Sequence, residues 1–177
     1  MSTVVSDHSV LQHRSLLDDV LWQRLVARVR KDGTFMERFG AQDDATQQAW
    51  AERIMDGAAG FLVLCAAGHG EGYSPSPLVD IGWHTFLLYT RDYAAFCQRV
   101  AGRFIHHVPD DASGAPARTR PAENRDRTIA AITAAGFAVD EPLWTLGALD
   151  CGNCHEDGNC SASGPDGTEN KDTRKKG

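Results

Sequence analysis

The amino-acid sequence predicts a mostly α-helical fold, a single helical bundle followed by a disordered, cysteine-containing C-terminal tail. Three observations lead there. Apolar residues recur at three- and four-residue steps in several segments, the spacing that one buried helix face requires. No stretch alternates apolar and polar residues for long enough to suggest a sheet. At 177 residues, 42% apolar and 24% charged, the chain has the size and composition of one globular core.

Met1 to Arg14 is short and mixed and reads as an N-terminal tail. Ser15 followed by Asp18 has the spacing of a helix cap and its reciprocal acid, so a first helix is expected there. Leu17, Val20, Leu21, Leu25 and Val29 form its apolar stripe, and Gly33 is its expected stop. A second helix is predicted from about Ala45 to Ala67, because Trp50, Ile54, Ala58, Phe61, Leu62 and Cys65 keep the same spacing. Gly57 and Gly60 weaken that helix or let a neighbour approach closely.

The stretch GHGEGYSPSP, Gly68 to Pro77, reads as a loop from its glycines and prolines. A third helical region follows from Leu78 to about Gly102, with a bend expected near Thr90. Val108 to Glu123 reads as a long surface loop. A fourth helix is expected from about Asn124 to Ala135, carrying Ile129 and Ile132, and a last helical turn with Leu143, Trp144 and Leu146. Tryptophans 22, 50, 83 and 144 are expected to pack in the core. From Cys151 onward Ala162 is the one apolar residue besides cysteine, too little to offset the entropy of ordering a chain. The expected organisation is therefore a tail over residues 1–14, a helical domain over 15–148 and a flexible tail over 149–177.

Charge and length narrow the function. Eighteen basic against 24 acidic residues give a net charge of −6, which disfavours nucleic acid or an anionic membrane as partner. The longest weakly polar stretch, Gly57 to Gly68, falls short of the roughly 20 apolar residues of a membrane span. No secretion pattern opens the chain, so a cytoplasmic protein is expected, with a small molecule or another protein as its unnamed partner. Five cysteines, three of them within ten residues, suit metal binding in a reducing compartment better than a disulfide framework.

The segment LVDIGWHTFLLY, Leu78 to Tyr89, is apolar nearly all round, yet it holds Asp80 and His84 four residues apart on one helix face. A buried carboxylate or imidazole needs a partner, since leaving it bare costs several kcal/mol, roughly. The simpler solution is that the aspartate orients the histidine. The sharper one adds His106 or His107 from GRFIHHVP, giving a carboxylate and two imidazoles that bind zinc or non-haem iron with positions left open. Cys97 lies in the same region and is a candidate fourth ligand. The flanking Phe96 and Val100 suggest that it is buried, which argues against a thiol nucleophile paired with His84.

The order and spacing of Val79, Asp80, Trp83, His84, Thr90, Tyr93, Phe96, Cys97, Gly102, Phe104, His106, His107 and Pro109 resemble the core motif of the glycine-rich domain-containing-protein-like family. Looser similarity runs from about Leu16 to Trp144. The resemblance implies a helical domain of largely uncharacterised activity. One position departs from it: Phe86 stands where family members often carry a second histidine, which leaves the implied metal site one ligand short.

In the tail, Cys151, Cys154, His155 and Cys160 offer three thiols and an imidazole, a set that zinc accepts. Their spacing is tight, because familiar zinc sites fold roughly a dozen or more residues between ligand pairs. The letters C-x-x-C-H also spell a haem-attachment pattern, but that attachment takes place outside the cytoplasm. Two function classes result. One is a metal-binding domain, with metal-dependent catalysis as its extension. The other is an interaction module whose Asp and His residues are structural and whose tail captures metal or a partner.

Overall fold

A computed structural model describes residues 11–68, 72–109, 121–145 and 160–162 of the chain. As expected, the fold is mostly helical. A 3-10 turn at Arg14–Leu16 precedes α1 (Asp19–Val29), α2 (Gly33–Phe39), α3 (Asp44–Ala67), α4 (Pro77–Leu87) and α5 (Thr90–Ala101). Then come β1 (His107–Pro109), α6 (Pro121–Ala134), α7 (Glu141–Thr145) and β2 (Cys160–Ala162). None of the described helices is long and apolar enough to cross a membrane.

Local chemistry starts each of the first four helices. Asp18, Asp32 and Asp43 each stand at an N-cap and accept a hydrogen bond from the backbone N–H three residues on, at 2.9, 3.1 and 2.8 Å. Ser76 caps α4 in the same way, through Val79 N–H at 3.2 Å, and Pro77 occupies the first turn, where a missing N–H costs nothing. The cap of α1 is thus Asp18, not Ser15. Gly33 does not end a helix as expected but opens α2, because Asp32 caps a new segment there. Of the expected stripe, Leu21, Leu25 and Val29 are buried on α1 and Leu17 is buried just before it, while Val20 is exposed and Trp22 and Val26 take part instead.

Helix α3 is the axis of the bundle and touches α1, α4, α5, α6 and α7. Its glycines serve close approach. A Cβ at Gly57 would stand 2.8 Å from Leu143 Cδ1, and one at Gly60 would stand 2.6 Å from the ring of His13. From the facing helix, Gly82 of α4 sits so near α3 that a Cβ would lie 2.8 Å from both Ile54 O and Ala58 Cβ. The core gathers around this contact, with Trp22, Phe35, Phe61, Trp83, Phe86 and Phe96 among its fully buried side chains.

The third helical region breaks at Leu88 and Tyr89 into α4 and α5, where a bend was expected. Helix α5 ends on Gly102, whose φ of 66° is the left-handed conformation that glycine adopts without strain. Gln12 and His13, assigned by sequence to the N-terminal tail, pack against α3 through Asp56. Leu146 lies outside the described residues, whereas Leu143 and Trp144 are buried in α7 as expected. A short antiparallel pair escaped the sequence reading: β1 runs beside β2, with His107 opposite Ala162 and Pro109 opposite Cys160. Three residues per strand are too few for alternation to register.

Candidate metal centre

Helix α4 carries Asp80 and His84 one turn apart on the same face. The chain then turns back at Leu88–Tyr89, runs out along α5, and leaves it through Gly102 in an extended segment that returns to α4. Extended backbone alternates its side chains, and that alternation selects between the adjacent histidines. Phe104 and His106 are exposed, whereas Ile105 is fully buried and the side chain of His107 is only 9% exposed. His106 instead packs its ring against Phe104, centroids 4.8 Å apart.

His107 therefore meets Asp80. Its Nε2 lies 3.1 Å from Asp80 Oδ1, and because a carboxylate only accepts, Nε2 is the donor. His84 Nε2 stands 3.7 Å from Asp80 Oδ2, too long for a hydrogen bond, and the rings of His84 and His107 are 4.3 Å apart. One ligand atom from each of Asp80, His84 and His107 falls within 4.8 Å of the others. The sequence placed Asp80, His84 and one of His106 and His107 in one site, and the geometry brings His107 to the other two.

The centre has a dry side and a wet side. Trp83, completely buried, sets its ring 4.3 Å from that of His107, and Phe61 backs the indole at 5.4 Å. Asp80 is 13% exposed at its side chain, but His84 is 55% exposed. That corrects the expectation of a helix buried all round: α4 presents its His84 edge to solvent. The consequence is chemical, since an ion held here would keep a face open to water.

Cys97 stands apart from this cluster. It is fully buried in α5, and burial pushes its thiol above the ordinary range, partly offset by a backbone hydrogen bond from Ile105. A neutral, enclosed thiol is neither a ready ligand nor a nucleophile. Of the tail ligands, Cys151, Cys154 and His155 lie outside the described residues, and Cys160 is described only as the first residue of β2.

With the geometry in place, comparison with known proteins supplies a family. The UCP032817-like family matches residues 19–129, well over half of the chain and inclusive of Asp80, His84 and His107. The chain belongs to that family. The resemblance to the glycine-rich domain-containing-protein-like family is overturned by this match, and nothing else connects the chain with it. The residues that suggested it, Val79 to Pro109, fall inside the span that matches the UCP032817-like family. No curated protein and no solved structure matches.

Sequence reasoning missed a second titratable pair. Asp56 of α3 accepts from the backbone N–H groups of Gln12 and His13, at 3.1 and 2.7 Å, and lies 3.2 Å from His13 Nδ1. The signal was present, for Asp56 is a lone carboxylate within the apolar run IMDGAAGF and so demanded partners. The pair borders a cavity of about 540 Å³ that is also lined by Leu11, Arg53, Phe137 and Trp144. Its evident work is to fasten the segment before the 3-10 turn onto α3.

Proposed function

We propose that the chain is a metal-binding helical domain in which Asp80, His84 and His107 hold one zinc or ferrous iron ion. The observation that carries this reading is the convergence of three ligand atoms within 4.8 Å, on a rim where two imidazoles aim Nε2 at one carboxylate. A purely structural pair needs only Asp80 and His107. The third group, His84, is exposed and makes no hydrogen bond to the carboxylate, so a locking role leaves its position unexplained. Ligands of one tetrahedral ion lie about 3.3 Å from one another given bonds of roughly 2.0–2.2 Å, so small side-chain adjustments close the site.

Two histidines and a carboxylate suit zinc or non-haem iron and leave further positions for water or substrate. Beside the exposed His84 such positions face solvent, the arrangement that metal-dependent catalysis uses. The competing reading, an interaction module, draws support from the 3.1 Å bond that already satisfies Asp80. The tail set Cys151, Cys154, His155 and Cys160 is proposed as a separate capture site for metal or a partner.

Elemental analysis of protein purified without a histidine tag separates these. The proposal expects one equivalent of zinc or iron to be lost in the double variant Asp80→Asn, His84→Ala, and that equivalent to be kept when Cys151 and Cys154 are changed to serine, whatever further metal the tail captures. Metal-free protein that fails to take up zinc or ferrous iron sinks the reading. Metal that disappears only with the tail cysteines assigns binding to the tail instead.

A further inference from the structure

We propose that Tyr93 is the positioning residue of this metal centre, holding the chain that leads into His107 and the indole that backs its ring. The inference rests on the proposed metal binding and extends it to a residue that touches no ligand atom. Between Gly102 and His107 no helix fixes the backbone, yet the Nε2 of His107 must be placed to a fraction of an ångström for an ion to be shared with α4.

Tyr93, fully buried in α5, supplies the missing constraint. Trp83 Nε1–H donates to its hydroxyl at 2.9 Å, and the hydroxyl donates onward to the carbonyl of Ile105 at 2.7 Å. The direction of this relay is fixed, because an indole N–H only donates and a carbonyl only accepts. It starts on the ring that lies 4.3 Å from the imidazole of His107 and ends on the main chain two residues before it. Burial raises the phenol far above its ordinary pKa, so the hydroxyl keeps the proton that it donates at any working pH. Without the hydroxyl, the indole N–H and the Ile105 carbonyl both lose a buried partner, and each gains by shifting toward another.

The test is a cobalt(II) titration of the full chain followed by visible absorption, with metal-free thermal unfolding measured in parallel. Tyr93→Phe is expected to bind cobalt about 10–100-fold more weakly and with an altered band shape, the usual scale for losing a group that orients a ligand. Trp83→Phe, which keeps an aromatic wall and removes the N–H, is expected to show a smaller loss in the same direction and serves if Tyr93→Phe does not fold. Phe35→Leu, a core change on α2 where the ring packs against Phe39, is expected to lower the melting temperature and leave cobalt affinity unchanged. Wild-type affinity and spectrum in Tyr93→Phe overturn the inference while the metal reading stands. So does a loss in Phe35→Leu as large as that in Tyr93→Phe. Wild-type protein that binds no cobalt overturns the metal reading itself, and the positioning role with it.

Discussion

At the scale of single residues, Asp80 settles which histidine matters for stability. Its hydrogen bond goes to the mostly enclosed His107 and not to the exposed His84. In metal-free protein His107→Ala is therefore expected to cost about 1–3 kcal/mol, because the carboxylate is left partly buried without its donor. His84→Ala is expected to stay within about 0.5 kcal/mol, as surface changes do. Chemical denaturation of both variants checks this, and equal losses would contradict the geometry. Asp80 and His84 were legible because charge stands out on an apolar helix. The choice of His107 over His106 was not, since it depends on where the chain leaves α5 and on the alternation that follows.

Burial of Cys65, Cys97 and Tyr93 makes a further expectation at this scale. Burial is the largest cause of the raised pKa in each, so each holds its proton in the folded state above the pH at which the unfolded chain releases it. Above about pH 9 the unfolded state binds fewer protons than the native one, and stability must fall as pH rises. The slope reaches at most about 1.4 kcal/mol per pH unit for each group. Unfolding free energies from pH 8 to 11 are expected to show this decline, and Cys65→Ala to make it shallower above pH 9. Flat stability over that range would mean that these groups are hydrated.

At the scale of elements, the contact between α3 and α4 carries the site, because α4 brings Asp80 and His84 and α3 supplies the floor beneath Trp83. Gly82 sets how close the two helices come. Gly82→Ala improves helix propensity by about 1 kcal/mol, but the added methyl meets the Ile54 carbonyl and Ala58 at 2.8 Å. Overpacking of this kind costs about 1–3 kcal/mol, so net destabilisation is expected in thermal unfolding. At Gly33 nothing lies within 4 Å of an added Cβ, so the same substitution there should leave the melting temperature unchanged or higher. Long periodic helices such as α3 were legible in the sequence to within a residue or two. The seven-residue α2 was not, since so short a segment holds few repeats and its opening glycine reads as a stop.

At the scale of the whole molecule, the fold would work as a clamp for the proposed ion: α4 presents Asp80 and His84, and the extended segment after α5 returns His107 from 23 residues further along the chain than His84. Family membership extends over this entire clamp, from α1 into α6. What the sequence could not reveal is that return path, because a φ of 66° at Gly102 and the burial of Ile105 are decided by tertiary packing. The most direct test is an anomalous difference map from crystals of the full chain grown with zinc and measured on both sides of the zinc absorption edge. The account predicts one peak about 2.0–2.2 Å from Nε2 of His84, Nε2 of His107 and an oxygen of Asp80. No peak among these three side chains, with zinc present in the crystals or bound only by the tail cysteines, would contradict it.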